Sequence, residues 1–272
     1  MLCSSFAVAV TLATVAGPQS SLPAHLAAWE RAMAATTNFY CPKLTLARRN
    51  TVAKTTTIST GSFLAMKPDR VRFRLIPQAK KTTKADPNNY FAYIITGDAL
   101  WEYTGETKKI VEFRFVPGEN ADGAAPWTDP ERWLTSALAR VYSGLTTHPV
   151  FAVAAGQFEP GQLTERFHVR VVKEDKHYVY LELRPRNPAE QDRYKKLVVA
   201  LMLPGEGHKP YVPAQVRVVT ADGQEIEDWR FENGVVNATG VAAAQFQYVK
   251  PPDGWTVVKL PPGAPAKDAP AK

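Results

Sequence analysis

The stretch from Gly61 to Tyr103 constrains this chain most. Between Arg70 and Leu75 the sequence alternates strictly, Val71, Phe73 and Leu75 against Arg70, Arg72 and Arg74. A strand turns successive side chains to opposite faces, so this segment predicts one apolar and one basic face. FAYIITGDALWEY follows after a polar insert, 77–89, and reads as two further strands around a Gly turn. An apolar sheet face must be covered, and what covers it decides between an ordinary β-domain and a carrier with a greasy hollow.

Further strands are expected at 59–66, 71–76, 91–96, 100–103 and 110–116. In the C-terminal half they are expected at 167–173, 178–184, 197–203, 214–220, 225–231 and 245–249, with a strand-rich start at 43–50. Asp222-Gly223 marks a tight hairpin. Two helices interrupt the meander. Residues 22–35 carry an apolar stripe of Leu26, Trp29 and Met33, and 129–142 starts on Asp129-Pro130 with a stripe of Leu134, Leu138 and Val141. The fold class is therefore mainly β (α+β): a strongly curved, unclosed antiparallel half-barrel sheet, its concave apolar face capped by helices.

Residues 6–16 form a short apolar run of small residues, too short to span a bilayer. It reads as a signal-peptide core with cleavage after Ala16, so 1–16 is a leader, 22–260 a single domain, and the Pro/Ala/Lys-rich 261–272 a disordered tail. Export to the periplasm or beyond follows. The mature chain keeps one cysteine, Cys41, flanked by Tyr40 and Pro42 with no activating charge, which predicts a small buried hydrophobe.

The five histidines form no metal-type pair, and there is no nucleophile elbow, phosphate loop or dinucleotide fingerprint. Glu227 and Asp228 are neighbours on a strand and point to opposite faces, which does not build a two-carboxylate site. The chain reads as a non-enzyme without metal or cofactor. Its net charge of +7 admits acidic partners, but no nucleic-acid-binding motif appears. An apolar hollow suffices to hold an acyl chain, at about 0.8 kcal/mol per buried methylene.

Several ordered motifs resemble the periplasmic lipoprotein carriers of the LolA type and their lipoprotein-receptor and sigma-factor-regulator relatives. They are Gly61-Ser62-Phe63-Leu64-Ala65-Met66-Lys67-Pro68, Val71-Arg72-Phe73, and Gly97-Asp98-Ala99-Leu100-Trp101-Glu102-Tyr103. Leu183-Arg184-Pro185-Arg186 and Phe246-Gln247-Tyr248 with Pro251-Pro252-Asp253-Gly254 continue the set. The resemblance implies a ligand hollow lined by Phe63, Val71, Phe73, Leu75, Tyr93, Ile95, Leu134, Leu138 and Phe151, with His148 to Phe151 in the lid region. The carriers' lid-latching Arg falls on Lys67, which lacks Arg's planar fork.

The resemblance implies a monomeric binder of lipoprotein acyl chains or lipid, with inner- and outer-membrane lipoprotein-sorting proteins as partners. The alternative is an envelope regulatory module that binds a protein through the Arg70/Arg72/Arg74 face. A Glu at Phe73 is expected to impair lipid binding with the sheet intact if the hollow is loosely packed.

Overall fold

In a computed structural model of the protein, the described residues are 21–67, 69–78, 86, 88–96, 99–114, 150, 153–154, 161–205, 209–251 and 253–260. The expected helix at 129–142, with Leu134 and Leu138, lies outside them, as do Phe151, the leader and the tail. The described strands are β1 (Asn38–Asn50), β2 (Thr55–Met66), β3 (Arg70–Pro77), β4 (Phe91–Ile95), β5 (Ala99–Thr104) and β6 (Lys109–Arg114). They continue with β7 (Phe167–Glu174), β8 (Tyr178–Pro185), β9 (Tyr194–Met202), β10 (Pro213–Thr220), β11 (Glu225–Glu232), β12 (Val235–Val236) and β13 (Thr256–Leu260). Helix α1 is Leu22–Ala34, and short helices α2 (Gln162–Arg166) and α3 (Pro188–Gln191) flank β7 and β8.

All the strands join one sheet in the order β13-β6-β5-β4-β3-β2-β1-β11-β10-β9-β8-β7, with β12 on the end of β1. The sheet is curved and unclosed, a mainly-β half-barrel. Its chain order is two meanders, β1–β6 and β7–β11, joined where β1 pairs β11.

The concave face is built in cross-strand rows. Phe39, Ala65, Val71, Ile95, Leu100 and Phe113 are successive partners across β1 to β6. Leu46, Trp229, Val216, Val199 and Leu181 are successive partners across β1, β11, β10, β9 and β8. All are buried and belong to one core, so period-two patterning is converted directly into a continuous apolar wall.

Two local devices shape that wall. Pro42-Lys43 form a bulge on β1 opposite Ser62 alone, which shifts the buried set from Phe39 and Cys41 to Leu44 and Leu46. Gly61 stands between Leu44 and Leu75, and a Cβ there would sit 1.7 Å from the Arg74 carbonyl oxygen. The missing side chain lets β2 and β3 close up where the sheet bends.

Cys41 is fully buried, and burial pushes its thiol up to about 11, so it stays a protonated, inert packing group at neutral pH.

The convex face carries a second small core that sequence periodicity does not reveal. Ile94, Trp101, Tyr103 and Ile110 pack there with Tyr90 and Trp255. The segment expected to be a strand at 245–249 is instead a 3-10 turn (Ala243–Phe246) followed by an unpaired strap across this face. The alternation of Phe246 and Tyr248 reflects a strap with one side on the protein, not a ladder. Tyr248 stacks on Tyr103, whose hydroxyl donates to the Val249 carbonyl at 3.0 Å and accepts from the Val249 N–H at 3.1 Å. The chain then pairs β13 parallel to β6 at the sheet edge, the one departure from antiparallel order among the described strands. Parallel pairing at an edge needs a long crossover, and the strap supplies it.

Charge on the convex side is largely internal to the sheet. Glu182 accepts from Arg170 at 2.8 Å, Arg184 at 2.9 Å and Lys196 at 3.0 Å, while Asp228 is forked by Arg217. Hydrogen bonding from Arg170 first, then Lys196 and Arg184, holds the Glu182 carboxyl down at about 2. A carboxyl depressed in the folded state stabilises above its unfolded pKa of about 4.5 and loses that contribution as pH falls toward 2. Glu182→Gln is therefore expected to lower Tm at pH 7, and to match the parent below pH 2 in a thermal-melt pH series. A constant difference across the series would mean that the loss is one of packing and not of charge.

Candidate ligand-binding hollow

Helix α1 covers the concave face because Trp29 and Met33, one turn apart, project onto the same side. Pro23 sits in its first turn, where the missing N–H is harmless. Polar clamps fix it to the sheet.

At the C-terminal end, Lys67 Nζ donates to the Met33 carbonyl at 2.7 Å, and Asn237 Nδ2 donates to the Ala35 carbonyl at 2.9 Å. Asn237 Oδ1 also accepts from the Thr37 N–H at 2.7 Å. Desolvation lowers the Lys67 pKa. Lys67 thus grips the last turn of α1.

At the N-terminal end, fully buried His25 bonds through Nδ1 to the Tyr211 hydroxyl at 3.1 Å and through Nε2 to Glu174 Oε2 at 3.3 Å. Tyr211 holds a left-handed backbone at φ 59°, a strained conformation for an aromatic residue. Midway along, Glu30 Oε1 accepts from the Gly161 N–H at 2.9 Å.

Phe63, Val71, Phe73, Leu75, Tyr93 and Ile95 all come together on the concave face, and all are buried. They are packed in this structure. Phe73 is 1% exposed, with the rings of Tyr93 at 5.2 Å, Phe91 at 6.0 Å and Trp229 at 6.4 Å.

Free volume lies elsewhere, in a cavity of about 190 Å³ beside the C-terminal end of α1. Ala32 and Met33 form one wall, Val153 and Ala154 another, and Tyr211 and Val236 close it, with exposed Lys209 also in its lining. Apart from Met33, which lies on the apolar stripe of α1, this lining is not legible in the sequence, because its residues come from the helix end, from separate connections and from the short strand β12. A wider depression of about 680 Å³ on the convex side mixes Tyr178 and Tyr180 with Arg230 and Glu232, a lining suited to water.

The basic face is partly occupied by the chain itself. Arg72 Nη1 donates to the Gln245 carbonyl at 2.8 Å, and the Arg74 guanidinium lies 4.2 Å from the centre of the Tyr90 ring. Among the described residues no group of three or more His, Cys, Asp or Glu is placed to hold a metal ion, and no helix is long and apolar enough to cross a membrane.

No family model matches the chain. No curated protein matches it in sequence. Solved structures do match. An uncharacterized conserved protein from Thermus thermophilus aligns over 87% of this chain and 97% of its own, at 12% identity and a TM-score of 0.42. A LolA superfamily protein from Nitrosomonas europaea aligns over 85% of this chain and 99% of its own, at 10% identity and a TM-score of 0.36. The Pseudomonas aeruginosa MucA/MucB complex contains a chain matched over 60% of its length by 83% of this one, at 17% identity and a TM-score of 0.37.

Proposed function

We propose that this protein is an exported, non-enzymatic carrier or binder of acylated hydrophobic ligands, lipoprotein or lipid, working in the periplasm. The observation that carries the reading is the apolar cavity beside α1, continuous with the concave core through Met33, Val153 and Ala154. Its 190 Å³ is below the range of about 300–1,000 Å³ common for ligand pockets. The reading is therefore of a closed arrangement, which an acyl chain enlarges by displacing α1.

That helix is held at its ends by a few polar bonds, at Lys67, Asn237 and His25, each worth about 0.5–1.5 kcal/mol net. Burial of about 0.8 kcal/mol per methylene along one acyl chain works against these bonds together with the packing of Trp29 and Met33. Lipoprotein-sorting proteins of the two membranes are the partners this role requires, one to load the ligand and one to receive it.

Protein purified without detergent and extracted with organic solvent is expected to yield acylated species by mass spectrometry. After delipidation it is expected to take up a fluorescent fatty acid at about one per chain. A clean extract together with no uptake would end this reading. The alternative, a protein-binding module using the arginine face, is less favoured because Arg72 and Arg74 are engaged by Gln245 and Tyr90 of the same chain.

A further inference from the structure

We infer that the ligand's polar end presents an acyl ester carbonyl, and that the indole N–H of Trp29 is its donor. The inference rests on the acyl-binding reading above and adds the chemical class of the group recognised.

Trp29 is fully buried at 0% exposure, and among the described residues its Nε1 has no hydrogen-bond partner. A buried N–H without an acceptor is costly, and proteins retain few such groups. The same core shows the satisfied alternative, since Trp229 Nε1 donates to Glu227 Oε2 at 2.9 Å. An apolar residue at position 29 would seal the concave face equally well without that cost.

The position of Trp29 gives the donor a use. It lies one helical turn before Met33 on the same side of α1, and Met33 forms part of the cavity wall. Trp29 does not itself line the cavity, so an acyl chain reaches the indole only by extending one turn along this face as it displaces α1. A lone donor is complemented by a group that accepts and does not donate. A carbonyl oxygen fits, whereas an alcohol or amine brings hydrogens that need acceptors of their own, and a carboxylate brings a charge into the core.

The test uses delipidated full-length protein and displacement of a bound fluorescent acyl probe. Competitors are methyl palmitate and heptadecane, chains of similar length with and without the carbonyl, delivered from cyclodextrin. The parent is expected to prefer the ester by about tenfold, the scale of one hydrogen bond formed away from water. Replacing Trp29 with benzothienylalanine, which keeps the shape and exchanges N–H for sulfur, is expected to abolish that preference and leave heptadecane affinity unchanged. The isosteric analogue guards against the packing loss that Trp29→Phe brings.

A parent that binds both competitors without preference, or an analogue that keeps the preference, overturns the inference. A parent that binds neither overturns the acyl-binding reading itself. Two further competitors, a dipalmitoylglyceryl lipopeptide and phosphatidylglycerol, distinguish the sources of the carbonyl. The one whose affinity falls about tenfold in the analogue is the natural class, and a fall in neither overturns the inference.

Discussion

Phe73→Glu is expected to abolish cooperative folding. The side chain is 1% exposed and ringed by Phe91, Tyr93 and Trp229, so a carboxylate there is cut off from solvent among aromatic rings. Burying an uncompensated charge costs several kcal/mol, a large share of the roughly 5–15 kcal/mol that holds a domain together. Phe73→Leu, which keeps the site apolar, is expected to fold with a loss of about 1–3 kcal/mol. Urea titration followed by tryptophan fluorescence separates the two. A Phe73→Glu protein that unfolds cooperatively, near the parent midpoint, would mean that the β2–β4 part of the concave face stands open in solution. It would move the hollow from α1 to that face.

Gly61→Ala is expected to cost about 4 kcal/mol or more, among the largest effects available from one methyl group. The glycine does not adopt a left-handed backbone, so space and not conformational freedom is what it supplies. Its added Cβ would meet the Arg74 carbonyl at 1.7 Å, a backbone atom that moves only if β3 moves. The expected fall in Tm is about 10 °C or more. Gly223→Ala is the matched control. It has φ +72° and open space around it, so it incurs only the strain of a left-handed alanine, about 1–2 kcal/mol. Equal losses at the two positions would show that β2 and β3 can separate at little cost.

The two substitutions fall in the part of the chain that was most legible. Strict alternation in β3 and the apolar stripe of α1 are local signals, and the fold uses them as written. The sequence reading starts the first strand at residue 43, yet β1 starts at Asn38 and absorbs Pro42 in a bulge. β13 was not anticipated, since a parallel partner 147 residues away leaves no trace in TVVKL itself. The strap's sequence mimics a strand because Phe246 is buried and Tyr248 lays its ring on Tyr103, two residues apart on one side of the chain.

At the site, Val71, Phe73 and Leu75 are legible from periodicity, but the clamps are not. His25, Tyr211 and Glu174 are 149 to 186 residues apart in pairing, and nothing near any of them announces the others. Trp29 was assigned to the apolar stripe correctly, while the fate of its N–H depends on what the opposite wall offers.

The junction between β1 and β11 has a kinetic consequence. Each meander is a run of hairpins that close short loops, whereas pairing Lys43 with Glu232 closes one of nearly 190 residues. Loop-closure entropy delays such a contact, so the two halves are expected to form first and the central seam last. Until then β1 exposes one edge and the N-terminal meander is an open template for other chains. A slow final phase, sensitive to changes at the seam and insensitive to changes within either meander, would therefore set how long a newly made molecule remains at risk of aggregation.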